Sequence, residues 1–152
     1  MKASDELAHG LQAILVDLIE LSLEGKQAHW NIVGPNFRDL HLQLDEIVAA
    51  ARLHADEVAE RLRALHAVPD GRTSTIAKTT ALTEPAEGLI TTTDAVDAVV
   101  TALDTTCTTV RGVYAAVEKD DAATTDILNQ ILLQLEKLSW MVSAEKAKTT
   151  TP

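Results

Sequence analysis

His41 and Asp45 stand four residues apart, Asp56 and Glu60 likewise, and eleven residues separate Asp45 from Asp56. On an α-helix a spacing of four puts two side chains on one face, and eleven is almost three whole turns, so all four fall on one stripe. Imidazole and carboxylate in this pattern are metal-ligand chemistry. Mixed nitrogen and oxygen ligands with coordination positions left open suit a ferrous ion that must meet an oxidant, whereas a closed structural zinc site would normally use thiolates. At a rise of ~1.5 Å per residue, however, the two pairs lie ~16 Å apart along the axis, and one ion cannot touch both.

A second copy of the helix, laid antiparallel across the first, resolves this. A two-fold axis near Ala50 brings His41 and Asp45 of one chain beside Asp56 and Glu60 of the other and generates two identical sites. Small side chains at the crossing, Ala49-Ala50-Ala51, allow the close approach this requires. His29, near the end of the preceding helix, can complete the site beside His41. Lys26, one turn before it, is spaced to pair with one of the carboxylates, and Trp30 would sit near the metal as a shield or electron donor. Taken singly, each residue has a plainer reading: a core histidine for His29, packing for Trp30, a solvated face for Asp56 and Glu60. The combination selects the metal. Glu6 and His9 have the Glu-x-x-His spacing of di-iron bundles, but no second copy occurs in the chain, which argues against a di-iron centre within one subunit.

Four amphipathic helices must position these residues, since apolar side chains recur every three or four positions in four stretches. The first runs from about 4 to 33, with Ser4 as N-cap, Asp5 and Glu6 in the first turn, and Leu7, Leu11, Ile14, Leu18 and Leu21 as its stripe. Gly34-Pro35 ends it. Asn36, with Asp39 three residues on, starts a second helix over about 37 to 66, antiparallel to the first, with Leu40, Leu44, Ile47, Ala51, Val58 and Leu62 inward. The third spans about 93 to 118 and is rich in threonine, a poor helix former, so packing must hold it. Cys107 falls on its apolar stripe and reads as a small core residue. The fourth spans about 122 to 147 after a break at Lys119-Asp120-Asp121, and residues 147–152 read as a frayed tail.

About 25 residues separate helices two and three. A connection that long suits a crossover along the bundle, and one long crossover in a four-helix bundle is the ferritin-like arrangement, with a short extra helix expected near 74–80 or 86–90. The fold expected is all-α, as one domain over residues 1–152.

At Lys26-x-x-His29-Trp30-Asn31, Gly34, Phe37, Leu40-His41, Asp45, Asp56 and Glu60-Arg61 the chain resembles the Dps family, the miniature ferritins known as DNA-binding proteins from starved cells. The resemblance covers nearly the whole chain. It implies a homo-dodecameric hollow shell with ferroxidase sites at its two-fold interfaces, each formed by His29, His41 and Asp45 of one subunit and Asp56 and Glu60 of the other. It further implies oxidation of iron(II), with hydrogen peroxide usually preferred over oxygen, and storage of iron(III) oxide inside, which protects DNA from oxidative damage. Aspartates at the start of the last helix often line the ion-entry pores of the family. Here these are Asp121 and Asp126, while Gln130, one turn on, is not acidic. Glu46 and Glu57, beside the ligand stripe, are candidates for starting mineral growth.

The net charge of −10 disfavours a body that binds nucleic acid by neutralising phosphates and favours cations as partners. Near the ends there are only Lys2, Lys146 and Lys148, so tight DNA binding through basic tails is not expected, although a nucleoid-condensing protein is the rival reading. A hydrolase using metal-activated water at the same open site ranks third, because nothing in the sequence identifies an organic substrate. The N-terminal residues lack the charged and apolar blocks of a signal peptide, and no apolar run approaches the ~20 residues that cross a bilayer; a cytoplasmic, possibly nucleoid-associated, protein is expected.

Overall fold

The computed structural model describes residues 2–117 and 121–146. The expected frayed tail at 147–152, Lys148, and the Lys119-Asp120 break lie outside the described residues. Helix α1 spans Asp5–Asn31 and starts where Ser4, in extended conformation, accepts the Leu7 backbone N–H on its hydroxyl at 3.2 Å. Its stripe of Leu7, Leu11, Ile14, Leu18 and Leu21 is fully buried, as the periodicity requires. The helix stops before the expected residue 33 because Ile32–Val33 leave it as a short strand, β1. This strand pairs in parallel with a second one, β2 (Ile90–Thr91), with Ile32 opposite Ile90.

Helix α2 spans Phe37–Ala64. Asn36 stands at its N-cap position but does not cap it: the residue is left-handed, with φ 57°, and makes no cap hydrogen bond. Its side-chain amide instead donates to Glu145 Oε2 at 3.3 Å, so the Asn36/Asp39 capping pair expected from sequence does not form. At the far end His66 turns left-handed, with φ 62°, and the Ala67 N–H donates back to the Leu62 carbonyl at 2.9 Å. That closure ends the helix two residues earlier than its apolar pattern indicates.

The crossover carries one short helix, α3 (Thr73–Thr79), at the first of the two positions expected. Asp17, buried on α1, anchors the chain just beyond α3. One carboxylate oxygen accepts the Thr80 hydroxyl at 2.9 Å and the Ala81 backbone N–H at 2.8 Å; the other accepts the Thr109 hydroxyl at 2.7 Å. One side chain thus ties α1, the crossover and the next long helix together.

That helix, α4 (Thr92–Val113), is capped by Thr91, whose hydroxyl accepts the Asp94 N–H at 3.1 Å. Thr101, Thr105, Thr106 and Thr108 each donate a hydroxyl to the carbonyl four residues back, so residues that weaken a helix in isolation have their polar atoms satisfied within it. Cys107 is buried, and burial above all pushes its thiol up to about 11, as suits an inert core residue. A 3₁₀ turn at Tyr114–Ala116 comes next, replacing the last turn expected of this helix. Helix α5 spans Ala122–Ala144.

Helix α1 packs on α2 and α4, and α5 closes the bundle against α2 and α4 around one continuous apolar core. This is the ferritin-like four-helix bundle with its long crossover. Among the described residues no helix is long and apolar enough to cross a membrane.

Replacing Asp17 with alanine leaves two hydroxyls and one backbone N–H without their shared acceptor. A stability loss of about 3 kcal/mol is expected, with accelerated hydrogen exchange at Ala81 ahead of global unfolding. Unchanged protection at Ala81 would show that the crossover is held by other contacts.

Candidate metal centre

The C-terminal half of α1 and the N-terminal half of α2 approach closely where Gly25 removes a side chain: a Cβ there would meet Val48 Cγ2 at 2.8 Å. One turn further along, His29 and His41 stack, with ring centroids 3.6 Å apart and planes 25° from parallel. Each ring is fixed by the other residue's backbone. His29 Nδ1 lies 2.9 Å from the His41 carbonyl, and His41 Nδ1 lies 3.0 Å from the His29 carbonyl. A carbonyl oxygen only accepts, so both Nδ1 atoms carry the hydrogen, and in each neutral ring Nε2 presents its lone pair. This is the tautomer a metal ligand needs, and the carbonyl bonds fix the ring orientation. Phe37 stacks on the other side of His41 at 5.2 Å.

Asp45 stands beside this pair, with one carboxylate oxygen 3.4 Å from His29 Nδ1 and hydrogen-bonded by the Lys26 ammonium. That bond first, with the charge of the Lys26 ammonium, holds the Asp45 carboxyl below its ordinary range and keeps it ionised. Lys26 therefore pairs with a carboxylate as its spacing indicated. Trp30 is 70% exposed on the surface of the chain beside these residues.

His29, His41 and Asp45 are brought to one end of the stripe, and Asp56 and Glu60 are not. The latter two lie on the exposed face of α2 ~11 residues further along. Among the described residues no three histidine, cysteine, aspartate or glutamate side chains of one chain converge closely enough to hold a metal ion. The stripe between the two pairs differs from expectation. Ala50 and Ala51 are buried within their own bundle, at 3% and 0% exposure, because they belong to the same apolar face as Ile47 and Val58. The side chains offered at the middle of the exposed face are Ala49, Arg52 and Leu53.

Asp121 is corrected more firmly. Its side chain is buried and caps α5: Oδ1 accepts the Thr124 N–H at 3.1 Å and Arg61 Nη2 at 2.5 Å, and Oδ2 accepts the Thr124 hydroxyl at 2.6 Å. Burial alone would raise this carboxyl, but Thr124 and the Arg61 guanidinium outweigh it and hold the group below its usual range. With both oxygens engaged inside the subunit, Asp121 has no carboxylate to offer a pore; Asp126, on the exposed side of α5, does. The Glu46 and Glu57 pair also divides. Glu46 is exposed, whereas Glu57 Oε2 lies 2.7 Å from Nδ1 of the buried His54, whose Nε2 lies 2.8 Å from Gln134 Oε1 on α5. Sequence reading passed over His54, although its place two residues before Asp56 and one turn before Val58 puts it at the edge of the inward face.

The Arg61–Asp121 pair is testable by pH. A carboxyl lowered on folding adds stability that is present above its unfolded value of 3.8 and lost as pH falls through the folded value. Arg61→Ala is expected to cost about 3 kcal/mol at pH 7, as for one partner removed from a buried pair, with the difference shrinking below about pH 4. A loss independent of pH would assign the effect to packing of the arginine stem.

Comparison with known proteins agrees with this fold. The family model of the ferritin-like domain matches residues 8–150. The DNA protection during starvation protein of Mycolicibacterium smegmatis is 36% identical over 147 residues, covering 94% of this chain and 78% of its own. The DNA protection during starvation protein 2 of Deinococcus radiodurans is 31% identical over 141 residues, and the match covers 93% of this chain but only 58% of that longer protein. The structure of Dps from Microbacterium arborescens in its high iron form superposes with a TM-score of 0.87 at 32% identity, over 97% of this chain and 99% of that one. The chain belongs to the Dps family of ferritin-like proteins.

Proposed function

We propose that this protein is a ferroxidase and iron store: it oxidises iron(II) at sites shared between two subunits and deposits iron(III) mineral inside a closed homo-dodecamer in the cytoplasm. The observation that carries this reading is the reciprocal fixing of His29 and His41, which leaves both Nε2 lone pairs free on stacked rings that neighbour the ionised Asp45 carboxylate. These three do not converge on one ion within the described chain, so the reading requires carboxylates from a second chain; a mixed imidazole and carboxylate set of that kind suits a divalent ion and leaves positions open for an oxidant. Asp56 and Glu60, exposed and ~16 Å along the same helix, complete the site only from a second chain.

Iron is the substrate. With hydrogen peroxide, two iron(II) ions give up one electron each; the O–O bond breaks, two protons are taken up, and two waters form alongside two iron(III) ions. Consuming both reagents at one site denies them to the free-radical chemistry that damages DNA. In this scheme Lys26 keeps Asp45 ionised, Trp30 shields the site or supplies an electron, Asp126 lines the ion entrance, and Glu46 offers free carboxylate oxygen for mineral growth.

Two outcomes test the reading. Binding to duplex DNA at physiological ionic strength is expected to be weak, since the chain carries a net charge of −10, and whatever binding appears should fall steeply with added salt in a gel-retardation series. Tight, salt-insensitive retardation would favour the nucleoid-condensing alternative. The split site is tested by His41→Ala and Glu60→Ala, each of which is expected to lower the rate of iron oxidation at least tenfold in its own homo-oligomer. In particles reassembled from a mixture of the two, an interface with one chain of each kind holds one doubly damaged site and one intact site. Activity should therefore reappear, and its absence in hybrid particles verified by mass would mean that His41 and Glu60 do not share a site.

A further inference from the structure

We propose that the cavity enclosed by the C-terminal half of α1, the Thr83–Ile90 part of the crossover and α4 binds a small organic amine. Its ammonium would be taken by the Glu24 carboxylate and its apolar body would lie against Ala28, Ala98, Val99 and Ala102. The cavity measures about 360 Å³, within the range that holds small ligands, and Glu24, Glu84 and Asp97 line it without any lysine, arginine or histidine.

Glu24 is the informative group. Its side chain lines the cavity, only 9% of the residue is exposed, and Oε1 is buried with no hydrogen-bond partner. The other buried carboxylates among the described residues are satisfied: Asp17 by three donors, Asp121 by Arg61 and Thr124. A buried carboxylate left without a donor is costly, and a cavity beside it is where a donor can be supplied from outside. The carboxylate turns readily about its last torsion, so either oxygen can face a bound group.

The lining selects the ligand class. A bare divalent ion needs several oxygen ligands at close range, and no group of three acidic or histidine side chains among the described residues provides them. The rest of the wall is alanine, valine, proline, isoleucine and glycine with three threonines and the amides of Gln27 and Asn31, and its apolar part suits a hydrocarbon body. Around Glu24 the facing charges are Glu20 and Asp17 on α1, Glu84 on the crossover, and Asp97 on α4, the last paired with Lys146 at 2.5 Å. Burial first, then Glu20 and Asp17, pushes the Glu24 carboxyl up to about 7. The empty cavity therefore meets a largely neutral acid in mildly acidic solution, and binding an ammonium expels its proton.

Cyclohexylamine, titrated calorimetrically into the assembled protein, is the test. Its ammonium resembles that of lysine, ionised below about pH 10, so any change in affinity between pH 6 and pH 8 reports the protein. Binding at one amine per chain is expected, about tenfold tighter at pH 8 than at pH 6, with close to one proton released at pH 6 in buffers of differing ionisation heat. Cyclohexanol should bind at least tenfold more weakly than the amine at pH 8. Glu24→Gln, nearly identical in shape, should weaken amine binding about tenfold at pH 8 and abolish its pH dependence. Ala98→Phe, which fills the cavity from an exposed position on α4, should prevent binding with Glu24 intact. Absence of amine binding, equal affinity for the alcohol, or wild-type binding by either variant would overturn the proposal.

Discussion

The close antiparallel packing of α1 on α2 is the constraint on which the centre depends. Gly25 removes the one side chain that would hold the helices apart at Val48, and the resulting approach is tight enough for His29 and His41 to exchange hydrogen bonds with each other's backbone. Each of those bonds serves two ends. It satisfies a polar nitrogen in a site where His29 is almost wholly buried, and it fixes which nitrogen remains free. A small rotation of either helix would break both bonds together. The imidazole geometry is thus a property of the helix pair, set before any ion arrives.

Apolar period made the bundle legible in the sequence. The stripes on α1, α2, α4 and α5 are strong because each helix buries one face against two neighbours, and the length of the crossover separated a ferritin-like arrangement from a simple up-and-down bundle. Boundaries were less legible where a distant partner decides them. Ile32 and Val33 continue the helical pattern but pair with Ile90 and Thr91, and Asn36 gives up its cap to reach Glu145. No local spacing encodes such partners.

The site divided along the same line. Lys26 with His29 and His41 with Asp45 were readable because fixed helical intervals set each pair on one face, and the packing of α1 on α2 then brings the pairs together. Asp121, an acid at a helix start, looked like a pore residue; what decides otherwise is Arg61, which arrives from another helix and occupies it. Glu57 looked free and is held by His54. Ala50 and Ala51 looked like a crossing point because small residues suit one, yet their phase on α2 turns them inward. Residue type proposes a role, and tertiary partners determine whether the side chain is still available for it.

Availability also distinguishes the acids of this bundle from one another. Asp17 and Asp121 are buried and fully hydrogen-bonded, so their charge is absorbed in tying segments of chain together, and neither can recruit an ion without releasing what it holds. Asp45 is half exposed and hydrogen-bonded by a single lysine, a partner that preserves the carboxylate's charge. Asp56 and Glu60 stand in solvent on the same helix with no side-chain hydrogen bond inside the described chain. Of the α2 acids, Asp45 is bonded by Lys26 and Glu57 by His54, whereas Asp56 and Glu60 keep both carboxylate oxygens free within the described chain. On the split-site reading proposed above, that freedom is what leaves the oxygens of Asp56 and Glu60 available to a second chain and a cation.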